Sequence, residues 1–371
     1  MKSSFPDIKR IAISTGGGDA PGLNAVIKSV VLSASMRGWE CIGIRDGYDG
    51  LLFPERYIRG GHQLLRHGDV QYITPLGGTI LGSTNRGNPF EYPEKQPDGT
   101  IVNIDMTQHL LQALKDLEID AVVAVGGDGS LNIANELGKL GVRIIGVPKT
   151  IDNDLEKTSV TFGFDTAVAF ATECIDRLHT TARSHGRMMV VEVMGRYAGW
   201  IALHSGISAS ADAILIPEIP YDIHKVADYL MKNVYPSKQY AIIVVAEGAV
   251  PEGGEPIYQG KDGGKNKRLG GAGERVAKGL SDLTGVEVRD VVLGHLLRGG
   301  SPTAFDRLIS LRFGAAATRG LAEGRTQVMV SIDPPNIEYV PLELVAKRMK
   351  RVDIMSDTVI TARELGICFG D

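Results

Sequence analysis

Short apolar runs alternate along the chain with segments of helical period. "RIAIS" (Arg10–Ser14) runs into a glycine turn and then into a helical stretch from about Leu23 to Met36. "ECIGI" follows. In "TQHLLQALKDLEI" (Thr107–Ile119), Leu110, Leu111, Leu114 and Leu117 recur on one helical face. Next come "AVVAV" (Ala121–Val125), a helix around Leu131–Leu140, and "VRIIGV". Later strands read as "MMVVEV" (Met188–Val193), "ADAILIP" (Ala211–Pro217), "YAIIVVA" (Tyr240–Ala246), "VRDVVLG" (Val288–Gly294) and "QVMVSI" (Gln327–Ile332). These strands are apolar throughout rather than alternating, so both faces are buried. The pattern predicts an α/β fold with mostly parallel, helix-covered sheets. The polar stretches Asn88–Thr100 and Pro251–Gly273 read as surface insertions.

Composition narrows the class. At 371 residues, two domains are the natural expectation, with ample sequence for a sizeable core. The formal net charge is −4 and the pI is near 6.1. No segment is basic enough to suggest nucleic acid or an anionic membrane as partner. No uncharged apolar run approaches the ~18 residues of a membrane helix, and "MKSSFPDIKR" lacks the apolar core of a signal peptide. Cys41, Cys174 and Cys368 show no metal-ligand spacing and read as idle thiols of a reducing compartment, which makes the cytoplasm the expected location.

In an open parallel sheet, ligands bind beyond the carboxyl ends of the strands, so the residues just after each strand carry the chemistry. After the first strand, "GGGDAPG" supplies glycines that let backbone N–H groups approach a phosphate, ahead of a helix N-terminus that favours the anion. Gly17 and Gly22 have P-loop spacing, but Leu23 and Asn24 stand where Lys and Ser/Thr should. After "AVVAV", "GGDGS" exposes Asp128 among small residues. It is a candidate Mg²⁺ anchor, since that ion needs one or two carboxylates plus phosphate oxygens. A helix-capping role is the alternative. After "VRIIG", the stretch "VPKTIDND" carries Lys149, Thr150, Asp152 and Asp154. In extended chain the two aspartates share a face, and in a turn they serve different partners. A phosphoryl acceptor alcohol needs a carboxylate base within about 2.6–3.2 Å, and an Asx-rich turn is the plainer reading. Arg196, Glu247, Arg289, His295 and Arg298 also fall near strand ends. Arginines gathered this way suit phosphate groups, which their forked guanidinium binds bidentately.

Taken together, "GGGDAPGLNAVI", "GGTILGSTNRG", "GGDGS", "PKTIDND", "RMMVVEVMGRYAGW" and "VLGHLLRGGSP" resemble the 6-phosphofructokinases, in family order from Gly16 to Pro302. The resemblance implies two Rossmann-like three-layer α/β domains with the active site in the cleft between them. The larger, donor-nucleotide domain would comprise residues 1–162 and about 297–347. The sugar-phosphate domain would comprise about 163–296 and 348–371. The implied reaction transfers a phosphoryl group from ATP, with Mg²⁺, to the 1-hydroxyl of fructose 6-phosphate, a step of glycolysis. Asp152 would be the base, with Thr150 and Asp154 beside it, Asp128 would hold Mg²⁺, and Arg196 would stabilise the transferring group. Gly17, Gly18, Arg86, Gly127, Asp128, Gly129 and Ser130 resemble the donor site. Thr150, Ile151, Asp152, Met194, Gly195, Arg196, Glu247, His295, Leu296, Leu297 and Arg298 resemble the sugar-phosphate site. Arg187 and Arg289 match two arginines that reach in from a neighbouring subunit, implying a homo-oligomer, dimer or tetramer, with shared sites.

The donor signature is mixed. ATP users of the family have glycine where Gly129 stands, whereas pyrophosphate users have aspartate there and lysine at the position of Lys149. The missing side chain at Gly129 leaves room for a nucleotide, so ATP is expected. A pyrophosphate-dependent enzyme, with sedoheptulose 7-phosphate as a further candidate acceptor, is the alternative. Lys28 and Leu32 stand where allosteric members carry two arginines, so effector binding of that kind is expected to be weak or absent. A lipid or NAD kinase would share "GGDG" but not the later blocks. A non-catalytic regulatory subunit is disfavoured by the intact Asp152, Asp128 and Arg196.

Overall fold

The structure, a computed structural model, describes residues 8–255, 258–261, 267–346 and 348–371. Its strands are β1 (Arg10–Thr15), β2 (Glu40–Ile44), β3 (His62–Leu65), β4 (Tyr92–Lys95), β5 (Ile101–Ile104), β6 (Ala121–Gly126), β7 (Ile144–Pro148) and β8 (Met188–Val193). They continue with β9 (Ala213–Leu215), β10 (Ala241–Ala246), β11 (Tyr258–Lys261), β12 (Lys267–Leu269), β13 (Val288–Val292), β14 (Val328–Asp333) and β15 (Asn336–Pro341). The chain forms two compact units. One holds the described residues up to Thr150 with Leu155–Gly163 and Arg298–Met349; the other holds Ile151–Asp154, Phe164–Leu297 and Lys350–Asp371.

The first unit is built on a seven-stranded sheet ordered β15-β14-β7-β6-β1-β2-β3. The strands from β14 to β2 run parallel, and the edge strands β15 and β3 run antiparallel to their neighbours. Side chains alternate faces along each strand, which sorts them into two cores. Ile11, Ile13, Val123 and Val125 pack on one side against helices Leu23–Ser35 and Ala304–Ala322. Ala12, Val122 and Ala124 pack on the other, against helices Thr107–Asp116 and Asp128–Lys139. This is a three-layer arrangement in which both sheet faces are buried, as the unbroken apolar runs require.

The second unit carries a four-stranded, wholly parallel sheet ordered β13-β8-β10-β9. Met188, Val190, Ile243 and Val245 pack on one face with Val276 and Leu280 of helix Ala272–Thr284. Helix Trp200–Ser208 lies on the opposite face, so close that a Cβ added at Gly206 would meet Ile214 Cδ1 at 2.6 Å.

Several local expectations change. The 107–119 pattern is a helix only to Asp116, because Glu118 turns the chain at φ 53°; Leu110 and Leu114 are buried while Leu111 and Leu117 sit at the core's margin. The 211–217 strand shrinks to β9, since Asp212 turns its carboxylate to the Ile242 N–H and Lys238. The 88–100 insertion is an ordered hairpin arm: β4 pairs with β5, and Tyr92 is buried. In 251–273, β11 pairs with β12, and helix Ala272–Thr284 begins inside the segment; residues 256–257 and 262–266 lie outside the described residues.

Candidate active site

In the first unit, an open pocket of about 380 Å³ lies beyond the carboxyl ends of β1, β6 and β7. Three segments make its floor. The first is the Gly16–Gly18 turn, held by Gly16 N–H donating to Val125 O (2.9 Å) and Gly17 N–H donating to Thr84 O (3.0 Å). Gly17 adopts φ 80°, a left-handed conformation that glycine takes without steric cost. The second is Gly127–Ser130, where β6 gives way to helix Asp128–Lys139. Asp128 is the first helical residue and Gly127 precedes it as the cap, so Asp128 does not take the helix-capping position. Its half-exposed carboxylate lines the pocket. Gly129 is exposed, and a Cβ added there would meet nothing within 4 Å. The third is Lys149–Thr150 after β7. The Lys149 side chain is 3% exposed, and its ammonium donates to the Gly18 carbonyl.

Of the residues expected at the donor site, Gly17, Gly18, Gly127, Asp128, Gly129 and Ser130 line this pocket together with Lys149 and Thr150. Arg298, expected with the sugar phosphate, also lines it, and its Nη1 donates to Asp19 O at 3.2 Å. Arg86 is exposed and lies outside the lining, between Asn85 and Gly87, which are part of it. Tyr48, Asn88 and Asn132 line the pocket and were missed by sequence reasoning. Tyr48 belongs to "DGYDG" just after β2, a strand end that the same rule would have flagged. Asn88 sits at the foot of the hairpin arm and carries no such signal.

The donor set suits magnesium. A single half-exposed carboxylate beside a glycine-lined pocket leaves most of the coordination sphere to water and phosphate oxygens, which is how Mg²⁺ is usually held. Among the described residues no cluster of three or more His, Cys, Asp or Glu side chains could cage a metal by itself.

The 149–154 segment is a turn rather than a strand. Asn153 has φ 51°, so the chain turns between Asp152 and Asp154. Lys149 N–H donates to Gly126 O (3.0 Å), and Thr161 Oγ1 donates to Thr150 O (2.7 Å). Ile151 is fully buried, and Asp152 is half-buried within the second unit.

In that unit the carboxyl ends of β8, β10 and β13 bring Met194–Arg196, Glu247 and Gly294–Leu297 to one edge of the sheet. Backbone bonds stitch them: Glu247 N–H to Val193 O (2.9 Å), Gly248 N–H to Gly195 O (3.2 Å) and Leu293 N–H to Glu192 O (2.9 Å). The approach is tight, as a Cβ at Gly248 would fall 2.1 Å from Arg196 O. The Arg196 guanidinium lies 5.0 Å from the Tyr197 ring centroid. His295 and Leu296 are exposed and Leu297 is buried. Behind Met194, the buried Glu192 carboxylate accepts from Gly271 N–H (3.2 Å) and Gly273 N–H (2.8 Å). Burial pushes its carboxyl above the ordinary range, against those donors.

Arg187 and Arg289 are not at this edge. Arg187 immediately precedes β8, and Arg289 pairs with Met189 at the second rung of the β13–β8 ladder. Both bind Glu287, at 3.2 and 2.8 Å. Six strand residues lie between Arg187 and Met194, which puts them seven rises or about 23 Å apart at ~3.3 Å each. The two effector positions are also without an arginine pair: Lys28 Nζ donates to Gln71 O (2.9 Å), and Leu32 packs on the core.

The motif-bearing strand ends have a counterpart among known proteins. A family model described as phosphofructokinase matches residues 10–321. The chain belongs to the phosphofructokinase family. An ATP-dependent 6-phosphofructokinase of Chloroflexus aurantiacus is 50% identical over 363 residues, 98% of each chain. A pyrophosphate–fructose 6-phosphate 1-phosphotransferase of Amycolatopsis mediterranei is 46% identical over 349 residues, 93% of this chain and 96% of that one. Among solved structures, Pichia pastoris phosphofructokinase in the T-state matches with TM-score 0.78 and 30% identity over 93% of this chain. This chain spans 36% of the Pichia chain's length. A pyrophosphate-dependent phosphofructokinase from Marinobacter aquaeolei, 21% identical, shares the fold with TM-score 0.78 over 97% of this chain and 91% of that one. The enzyme is thus an α/β phosphofructokinase whose sheets are mostly parallel. No helix among its described residues is long and apolar enough to cross a membrane.

Proposed function

We propose that the enzyme transfers the terminal phosphoryl group of ATP to the 1-hydroxyl of fructose 6-phosphate, giving fructose 1,6-bisphosphate in glycolysis. The observation that carries the choice of donor is the open space at Gly129, beside Asp128 in the first unit's pocket. Phosphoryl transfer asks a protein for positioning and charge neutralisation rather than covalent chemistry. In this reading the first unit binds the nucleotide. The Gly16–Gly18 turn and the N-terminus of helix Asp128–Lys139 direct backbone donors at its phosphates, and Asp128 holds Mg²⁺. That ion, when bound, offsets phosphate charge. The second unit takes the sugar phosphate through Met194–Arg196, Glu247 and His295–Leu297. Asp152 accepts the proton of the 1-hydroxyl, and Arg196 offsets charge on the transferring group.

The position of Arg187 and Arg289 supports a homo-oligomer with shared sites. They lie one strand length from Met194 along the same sheet, and in this reading they serve a neighbouring subunit's sugar 6-phosphate. Dimer and tetramer both fit this reading, in the cytoplasm.

Lys149 favours a second reading. Its nearly buried ammonium lies on the floor of the same pocket, against the Gly18 carbonyl, where it suits a small anionic donor such as pyrophosphate. Sedoheptulose 7-phosphate is then a further acceptor to test. A coupled assay comparing ATP with pyrophosphate on both sugar phosphates, with saturating Mg²⁺, decides between them. Efficient pyrophosphate turnover with poor ATP turnover would overturn the first reading.

A further inference from the structure

Asp152 and Arg196 reach the second unit's chemistry on two separate pieces of chain, the 151–154 turn and the loop after β8. A third piece, Lys350–Val352, is bonded to both. Lys350 N–H donates to Asp154 O at 2.8 Å. Lys350 Nζ donates to Asn153 Oδ1 at 3.1 Å, and Asn153 is 5% exposed. The Lys350 carbonyl accepts from Trp200 Nε1 at 3.1 Å, and its ammonium lies 5.7 Å from the Trp200 ring centroid. Trp200 opens the helix that follows "MGRYAG". Two residues further on, Val352 N–H donates to Glu218 Oε1 (2.8 Å), and the same carboxylate accepts from Gly199 N–H (3.1 and 3.2 Å). Lys350 and Val352 therefore fasten the aspartate turn directly on one side, and on the other reach the end of the arginine loop through Trp200 and Glu218.

We propose that Lys350 is a positioning residue, whose ammonium on Asn153, backed by Trp200, fixes the turn presenting Asp152 relative to the loop presenting Arg196. The inference rests on the assignment of Asp152 as the base. The backbone bonds of the strap survive any substitution at 350, so the side chain's share is the one that can be tested. Asn153 adopts the left-handed region at φ 51°, which asparagine tolerates well, so the lysine's share is to orient the amide rather than to hold the backbone. Its side-chain oxygen accepts from the lysine, and Asp152 is the residue just before it in the chain. Displacing a reacting group by about 1 Å can cost on the order of 10²-fold in rate. A positioning loss of this kind falls on kcat, whereas loss of uniform binding falls on KM.

The test is a cycle of Lys350→Met, Asn153→Gly and the double variant, with Asp152→Asn as reference. Methionine keeps the apolar stem over Trp200 and removes the charge; glycine removes the Asn153 amide and accepts the left-handed backbone. Each single variant is expected to lose roughly 10- to 100-fold in kcat while KM for fructose 6-phosphate stays within about threefold. The double variant should lose clearly less than the product of the two single losses, since the Lys350–Asn153 bond is removed in both. Near-wild-type kcat in Lys350→Met, or fully additive losses, would overturn the inference. If Asp152→Asn is inactive at the same time, the base assignment stands and only the role of Lys350 falls. Asp152→Asn with near-wild-type kcat would overturn both.

Discussion

The substitution Gly129→Asp isolates what selects the phosphoryl donor. Gly129 is the second residue of helix Asp128–Lys139, has no left-handed φ, and has empty space where a side chain would begin. The fold should therefore tolerate aspartate. An acid in the first helical turn adds about 0.3–1 kcal/mol of favourable dipole interaction, and replacing a helical glycine recovers a few tenths more. The cost falls on the ligand. At an effective dielectric near 20, two unit charges about 4 Å apart repel by about 4 kcal/mol. Gly129 is exposed and the pocket open, so solvent screening roughly halves this, to about 2 kcal/mol. At about 1.4 kcal/mol per decade, kcat/KM for ATP should fall on the order of 30-fold. Pyrophosphate has no α-phosphate or nucleoside to meet the new carboxylate, so its turnover should be spared or revealed. The assay measures kcat/KM for each donor on both proteins at saturating fructose 6-phosphate and Mg²⁺, with melting temperatures as a fold control. Raising the salt should shrink the ATP penalty, because the Debye length is about 10 Å at 0.1 M. ATP kinetics unchanged in a folded Gly129→Asp protein would refute the argument.

Three further outcomes follow from the structure. Asp152→Asn should lower kcat by about 10²–10⁴ with sugar phosphate binding nearly intact by isothermal titration; kcat close to wild type would remove Asp152 from the role of base. Inactive Asp152→Asn and inactive Arg289→Ala chains, mixed under conditions that exchange subunits, should recover part of the activity, and a fully active monomer by sedimentation would exclude shared sites. Glu192, whose carboxyl burial lifts above its ordinary value of 4.5, binds its proton more tightly folded than unfolded. It thus contributes stability below about pH 4.5 that is lost as pH rises through its folded value. Glu192→Gln does not titrate, so its melting temperature relative to wild type should climb as pH rises above the ordinary value of 4.5, and a gap that stays constant there would contradict the assignment.

The parallel sheets were legible because their central strands carry unbroken apolar runs. β6 sends Val123 and Val125 to one core and Val122 and Ala124 to the other, and only a strand covered on both faces reads that way. Edge elements were harder. β4 carries Pro93, Glu94 and Lys95, and its pairing with β5 is a backbone matter that composition does not encode. β9 was overestimated because Ala211 and Asp212 continue an apolar run, yet Asp212 is spent on Ile242 and Lys238. Sequence periodicity reports which residues avoid water, and it is silent on which backbone groups find partners.

The site divides along the same line. Glycine turns and carboxylates at strand ends follow from local sequence and strand direction, so Gly17, Asp128 and Lys149 can be collected from the amino-acid sequence alone. What joins them cannot. Lys350 follows no strand and belongs to no motif, and its closeness to Asn153, 197 positions away, is created by the return of the chain into the second unit. The arginines show the converse. Arg187 and Arg289 resemble substrate ligands by position in the family pattern, yet both sit at the amino ends of their strands, bound to Glu287. A phosphate held by them must compete with Glu287, whose side chain is about half exposed. An ion pair that exposed contributes at most about 1 kcal/mol, less than the charge-assisted fork that a phosphate offers to two guanidinium groups. The pairing with Glu287 is therefore too weak to bar the phosphate contact proposed for the two arginines.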